Sequence, residues 1–306
     1  NPDLDMLPTG KFAIHAHPSL PDTTILCTPD GRAVTTLNGP RVRHLYQLFR
    51  PDLSQHTFEE EVYRLLTRLG SRSEIQSPTP TTTTRNRWAT REDLLSALRH
   101  TFHIQTELYS DPLNKSLHSH TYHSLYPEDI VFSSSGSNAP HTWQGTNIAN
   151  PEYDHECMRR AMEHAITSAH LTATHTPSAT ILILPRWEHT PYRHSKYINS
   201  PYTHHLYTLP NDANTFLPPD QHTGHPTPTP FGTRWKVDIY LVANSLALHN
   251  LPSHTAMTAL HNTLESIYDT HLPNPTINIT PPHLTTSYSP HSAGCLLYTS
   301  DAADEE

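Results

Sequence analysis

Charge is scarce in this sequence, and cysteine scarcer. Only 16% of the 306 residues are Asp, Glu, Lys or Arg, and 20 basic residues face 29 acidic ones, for a formal charge of −9. That balance argues against a broadly basic nucleic-acid coat. No apolar run approaches the roughly 18 residues that a spanning helix requires, and the mean hydropathy of −0.58 excludes a membrane bundle. The cysteines include no CxxC pair, which supports neither a disulfide framework nor a structural zinc site and suits a reducing compartment. Glycine, with 9 residues, and valine are thin, while 29 prolines and 26 histidines accompany abundant threonine. This exchange of residues with G-rich codons for residues with A/C-rich codons is what a strand-biased genome produces. The pairs within His15/His17, His118/His120/His123 and His204/His205 have ligand-like spacing. No HExxH is present and no carboxylate or thiol recurs beside them, so no metal site is expected.

The length suffices for one large domain, or a domain with an appendage. The chain begins at Asn1 with neither a methionine nor a signal-like segment and is read as a fragment. Residues Cys295–Glu306 match the translation of a transposase-type sequencing adapter and are set aside as a non-native scar. Four acids and no bases leave with them (Asp301, Asp304, Glu305, Glu306), which moves the formal charge from −9 to −5. Cys27 and Cys157 then remain.

Along the chain, residues 1–36 read as peripheral loops and short strands, and helices are expected over Arg41–Phe49 and Phe58–Leu69. In the second, Phe58, Val62, Leu65, Leu66 and Leu69 share one face and Gly70 is placed to end it. Ser77–Thr84 is a Pro/Thr linker. A third helix is expected over Thr90–Phe102, with Thr90 as N-cap and Glu92 and Asp93 in the first turn. Asp129–Ser133 is a short strand candidate, Asp154–His170 a helix, and Thr180–Leu184 and Val237–Ala243 buried strands. That order implies an α/β layer with a parallel sheet. Thr255–Thr270 completes the helices, and residues 225–230 form a low-complexity loop. No internal repeat is visible. The expected organisation is a peripheral segment to 36, a helical lobe over 37–106, a core over 107–250, and a C-terminal helix and loop over 251–294.

The sharpest motif is Asn150-Pro151-Glu152-Tyr153, just before a helix. An Asn-Pro turn ahead of a helix is common in itself. The functional alternative is the [Asn/Asp]-Pro-Pro-aromatic motif of adenine N6 methyltransferases. There the Asn oxygen and the first Pro carbonyl accept hydrogen bonds from the exocyclic amine while the aromatic ring stacks on the base. The base must be unstacked or single-stranded to enter.

The surroundings of this motif resemble one family. Glu107-Leu108-Tyr109-Ser110-Asp111-Pro112-Leu113-Asn114 is similar to its Glu-x-Phe-Ala-Ser-Pro-Leu-Asn segment. Tyr126-Pro127-Glu128-Asp129 follows, then Phe132-Ser133-Ser134-Ser135-Gly136 against Phe-Gly-Ser-x-Gly. Gly145–Tyr153 aligns with Gly-Ser-Phe-x-Ala-Asn-Pro-Pro-Phe, and Ile181–Trp187 with a strand ending Ile-Pro-x-Trp. Asn214-Thr215-Phe216 and Gln221-His222 fall where a His-x-Tyr and a Gln-His pair stand, and Phe58–Leu69 resembles the upstream helix. The ordered matches run over roughly residues 40 to 250. The family is the phosphorylated-C-terminal-domain-interacting-factor methyltransferases, which N6-methylate the adenosine next to the mRNA cap.

This resemblance implies a Rossmann-like S-adenosylmethionine-dependent methyltransferase core with an N-terminal helical lobe. It implies that Asn150, Pro151 and Tyr153, with Glu152 among them, hold the adenine. Ser110, Pro112, Leu113 and Asn114, with Phe132, Ser134 and Gly136, would line the side that takes S-adenosyl-L-methionine. Trp187 is a candidate stacking surface for RNA or cap, or else packs the end of its strand. Arg186, Arg193 and Lys196 form a basic cluster that either meets RNA phosphates or is a solvated loop. Three positions depart from the family pattern: Glu152 for the second Pro, Ser133 for Gly and Asp111 for Ser. They keep open a catalytically lapsed RNA-binding relative, and the same chemistry on uncapped RNA or DNA stands as a third reading. Trp88, Trp143, Trp187 and Trp235 lack the close pairing of a WW domain, so docking to the polymerase C-terminal domain is not expected of this segment. The expected partner is capped mRNA or other RNA, without a membrane, the chain acting as a monomer inside the cell. By the same resemblance its place is the nucleus.

Overall fold

The computed structural model describes residues 10–72, 89–116, 119, 121–124, 126–135, 142–187, 191–217 and 235–275. The expected linker at 77–84, the loop at 225–230, Gly136, Trp88, His118, His120, Gln221, His222 and the adapter-like tail lie outside them. Within them the chain is a mixed α/β structure organised on a six-stranded sheet. Its strands are β5 (Thr106–Leu108), β6 (Thr121–Tyr122), β7 (Gly145–Ala149), β8 (Ser178–Arg186), β9 (Thr203–Leu209) and β11 (Lys236–Ala243), in the spatial order β6-β5-β7-β8-β11-β9. The pairs β6-β5, β5-β7 and β7-β8 are parallel. β11 runs antiparallel to both β8 and β9. The expected buried strands at 180–184 and 237–243 are therefore present, as antiparallel neighbours on the far side of a parallel set.

Alternation along the strands explains the layers. Side chains on a strand point to opposite faces in turn, and β8 is apolar on both. Ile181 and Ile183 join Ile239 and Leu241 of β11 under α3 (Glu92–Phe102) and α5 (His254–Tyr268), through Leu94, Leu98, Leu260 and Leu264. Leu182 and Leu184 join Tyr240 and Val242 on the other face, under α4 (His155–Leu171) with its Met158, Ala161, Met162 and Ala165. A strand covered on both sides reads as an uninterrupted apolar run, which is why 180–184 was conspicuous.

A second cluster holds the N-terminal region. There β1 (Ala13–Ala16), β2 (Thr23–Cys27) and β3 (Ala33–Asn38) form an antiparallel sheet. Leu26 and Leu37 from that sheet pack with Leu45 of α1 (Gly39–Leu48) and with Phe58, Val62 and Leu65 of α2 (Phe58–Arg72). Helix α2 runs through Gly70 rather than ending there. α3 begins after Arg91, and its expected cap Thr90 instead belongs to β4 (Ala89–Thr90), paired with β10 (Phe216–Leu217). The expected strand at 129–133 is a 3₁₀ helix, Pro127–Phe132. Pro127 sets the helical φ of its first turn. The apolar run Ile130-Val131-Phe132 sends Val131 and Phe132 into the N-terminal cluster and leaves Ile130 exposed.

Among the described residues no helix is long and apolar enough to cross a membrane, and no three His, Cys, Asp or Glu side chains are grouped to hold a metal ion. Neighbouring His204 and His205 lie on β9, His204 buried and His205 exposed.

Candidate functional site

The chain leaves β5 for β6 on one side and then returns to β7 on the other, so the order of strands reverses between β5 and β7. In an open α/β sheet the crevice beyond the carboxyl ends of strands at such a switch point is the usual ligand position. Here Leu108 of β5 is in register with Ala149 of β7. The next residues are Tyr109-Ser110 on one strand and Asn150-Pro151 on the other. A small open cleft lies there, lined by Thr90, Glu107, Tyr109, Asn114, Ile148 and Asn150 among others. Two of the sequence-predicted segments, far apart in the chain, thus meet at one place.

The loop after β5 is closed by reciprocal bonds. The Asp111 carboxylate accepts from the Leu113 and Asn114 amides at 2.7 and 3.0 Å, and the Asn114 side-chain oxygen accepts from the Asp111 amide at 2.7 Å and the Ser110 hydroxyl at 3.2 Å. Asp111 acts as a turn cap, a task shared by Ser and Asp side chains. Pro112 and Leu113 are buried, Leu113 in the N-terminal cluster with Phe132. Those two anchor the loops from behind and do not line the cleft. The Ser134 amide donates to the Asp129 carbonyl, and the Ser134 hydroxyl accepts from the Ser124 amide.

Ser133, the position where the family pattern has Gly, is left-handed at φ 62 and ψ 23. Such a conformation costs a side-chain-bearing residue about 1–2 kcal/mol. Its hydroxyl offsets part of that by donating to the Leu48 carbonyl at 2.6 Å. Ser133→Ala should therefore lower stability by about 1 kcal/mol in urea unfolding, since the bond goes and the strain stays. Ser133→Gly should be close to neutral, because both go. Equal losses in the two variants would refute this account.

At the end of β7, Asn150 is half-buried and Pro151 buried, and Asp154 caps α4 by accepting from the Glu156 and Cys157 amides at 2.8 and 3.0 Å. The motif is thereby held between a strand end and a helix start. The Tyr153 hydroxyl donates to the Asn150 side-chain oxygen at 2.8 Å. The Tyr153 ring is only 6% exposed and packs on Phe216, with centroids 4.9 Å apart. Burial raises its phenol pKa well above the ordinary value.

Tyr109 and Glu107, to which the sequence assigned no role of their own, also line the cleft. Tyr109 is left-handed, at φ 56, an uncommon state for an aromatic residue, and packs edge-on against Trp143 at 6.0 Å. Burial pushes its phenol pKa up, and nearby Cys157 and Glu152 add to the shift. Glu107 is also raised by burial, against bonds from the Ser119 hydroxyl and Ser116 amide. The Thr90 hydroxyl, buried at the cleft wall, has no hydrogen-bond partner among the described residues. None of these properties has a local sequence signal: they depend on long-range packing.

Trp187 leaves the end of β8 half-buried and meets His155, the first residue of α4, edge-on at 5.2 Å and Trp235 at 5.8 Å. The basic cluster divides. Arg186 is bound in bidentate fashion by the fully buried Asp238, which also accepts from Thr208 and contacts His205. Burial alone would raise the Asp238 carboxyl, but bonds from His205, Arg186 and Thr208 hold it below its ordinary value. Arg193 and Lys196 are exposed, with the Lys196 ammonium 4.5 Å above the Tyr197 ring.

Comparison with known families gives one match, to the family described as "Phosphorylated CTD interacting factor 1 WW domain", over residues 41–218, more than half of the chain. The chain belongs to the phosphorylated CTD interacting factor 1 family. The family match runs from α1 through the end of β10 and so takes in both halves of the cleft, the β5 loop and the Asn150–Tyr153 motif. No curated protein matches the chain.

Proposed function

We propose that the protein transfers a methyl group from S-adenosylmethionine to N6 of adenosine in RNA, the adenosine being the 2′-O-methylated one next to the 7-methylguanosine cap. The observation that carries this is the meeting of the Ser110–Asn114 loop and the Asn150–Tyr153 motif at the switch point of the parallel strands, within a chain of this family. The sheet order, with one antiparallel strand between β8 and β9, is in keeping with a Rossmann-like methyltransferase core.

The cleft's chemistry suits such a cofactor. The Glu107 carboxylate and the unpaired Thr90 hydroxyl can accept or donate to an amino-acid or ribose group, and Tyr109 offers an aromatic surface. Once bound, S-adenosylmethionine supplies an electrophilic methyl on sulfur. The Asn150 oxygen and the Pro151 carbonyl would accept from the adenine amine and orient its lone pair toward that methyl. These dipoles are fixed beforehand and stabilise the positive charge that develops on nitrogen. No strong base is needed, because the amine becomes acidic as it is methylated. Tyr153 is covered by Phe216, so Tyr109 is the better placed ring for a base entering the cleft. Arg193 and Lys196, with Trp187, would meet RNA outside it; Arg186 is already neutralised by Asp238. The family's description also makes the phosphorylated polymerase C-terminal domain a candidate partner.

Methyl incorporation tests this directly. Labelled S-adenosylmethionine should label a capped RNA that begins with 2′-O-methyladenosine, and should leave a guanosine-starting RNA unlabelled. Equal labelling of capped and uncapped RNA would remove the cap from the proposal. No labelling together with no calorimetric binding of S-adenosylmethionine would favour the lapsed RNA-binding relative, which the Glu152 charge beside Tyr109 supports.

A further inference from the structure

We propose that Arg41, His44 and Lys115 form a binding site for an oxyanion of the phosphate class, where α1 meets the end of the loop that follows β5. Arg41 and His44 stand one helical turn apart on α1 and share a face. That face meets the loop: the Arg41 guanidinium donates to the Lys115 carbonyl at 3.5 Å. Lys115 is only 4% exposed, while Arg41 and His44 are half-buried, so solvent reaches the cluster along α1.

Among the described residues neither Arg41 nor Lys115 forms an ion pair. The Lys115 ammonium donates to the Ser116 carbonyl at 3.1 Å and lies 5.8 Å from the centre of the Tyr122 ring. Neither contact brings a negative charge. The buried Nε2 of His44 has no hydrogen-bond partner among the described residues. Burial, with Lys115 and Arg41 beside it, lowers the His44 pKa to about 4, which keeps the imidazole neutral. The acids whose fields reach the two cations are Asp111, Glu92 and Glu107, and each is committed elsewhere. Asp111 holds the Leu113 and Asn114 amides, and Glu92 accepts from the Ser116 hydroxyl. Glu107 accepts from the Ser116 amide and the Ser119 hydroxyl and faces Arg99 at 3.9 Å.

A cation taken from water without a partner is costly, and two side by side more so. An oxyanion among them would accept charge-assisted hydrogen bonds from the Arg41 fork and the Lys115 ammonium, and one from His44 as its Nε2–H tautomer. Free phosphate and the phosphate of an RNA chain share this chemistry. The Lys115 loop also carries Asn114 of the cleft, so an anion here would tie α1 to the loop. The site does not depend on methyl transfer in the cleft, and none of its readouts is activity.

Inorganic phosphate is the probe, titrated into the full chain in a chloride buffer of fixed ionic strength. It should bind saturably by calorimetry and raise Tm. Arg41→Gln should weaken it about tenfold or more, the factor for one lost charge-assisted hydrogen bond. In chloride alone, Lys115→Met should melt no lower than the parent, since an unpaired buried charge has gone, and phosphate should not raise its Tm. A lower Tm there would overturn the site by showing that the ammonium is already satisfied. Binding of a capped, adenosine-starting RNA measured against salt separates the two sources. If RNA supplies the phosphate, Arg41→Gln should reduce the slope of log affinity against log salt by about one. An unchanged slope, with phosphate binding lost in the variant, would uphold the site and make a free oxyanion its occupant. Phosphate acting alike on the parent and both variants would overturn it. So would no effect of phosphate on any of them together with an unchanged RNA slope.

Discussion

Replacing Asn150 with alanine should lower the rate of methyl transfer by about 10²–10³-fold, the range found when one preorganised polar group is taken from a developing charge. Binding of S-adenosylmethionine, measured by calorimetry, should stay within about threefold, because Thr90, Glu107 and Asn114 are untouched. The loss should fall on kcat, since the Asn150 oxygen is asked to act on charge that appears only during transfer. A second consequence follows from the Tyr153 bond. Asn150→Ala also removes the bond that the nearly buried Tyr153 hydroxyl donates to the Asn150 oxygen, which costs about 0.5–1.5 kcal/mol of stability. Asn150→Asp separates the two effects. It keeps an acceptor for both the tyrosine and an incoming amine, and it should retain more activity and more stability than the alanine variant. Transfer by Asn150→Ala at half the parent rate or better would remove Asn150 from the chemistry.

The turn at Asn150 was legible in the sequence because everything that marks it is local. Asn-Pro turns the chain, Asp154 caps the next helix three residues after Pro151, and the aromatic falls between them. The β8 and β11 segments were legible for the same reason, as short apolar runs with both faces buried. Their antiparallel relation was not, since strand direction is set by connections outside either run. β7 was harder still. Gly145-Thr146-Asn147-Ile148-Ala149 has little apolar character and forms a strand because β5 and β8 pair with it from both sides. Thr90 makes the opposite case: a good helix cap by type, it was claimed by pairing with Phe216, and tertiary structure overrode a propensity of about 1 kcal/mol. At the site, Tyr109 in the left-handed region and the orphan hydroxyl of Thr90 could not be read from any pattern. Both depend on neighbours distant in sequence.

The largest effect on stability should come from Arg68 and Asp129, a pair 61 residues apart with no sequence signal. Arg68, on α2, is 4% exposed and Asp129 wholly buried, with nitrogen and oxygen 2.6 Å apart. Ser124 donates to the other carboxylate oxygen. This contact ties the N-terminal helices to the 3₁₀ helix that carries Phe132 toward the β5 loop. Removing one member strands the other charge in the interior, so Arg68→Met should cost about 3–5 kcal/mol. In a domain of this size that corresponds to about 6–20 °C in Tm. The cost should depend on pH. Burial raises the Asp129 carboxyl to about 6, against the lowering influence of Arg68 and Ser124. Between about pH 4 and 6 the folded chain therefore holds a proton that the unfolded chain has released, and stability falls as pH rises through that window. Without Arg68 the carboxyl is raised further and the window widens upward. Arg68→Met should accordingly be milder at pH 5, where a neutral Asp129 needs no cation, and most severe near pH 8. Joining it with Asp129→Leu should recover most of the loss at pH 8, since a buried pair exchanged for apolar groups is often neutral. A pH-independent loss in Arg68→Met would show that packing of the arginine stem, and not its charge, is what holds the lobe in place.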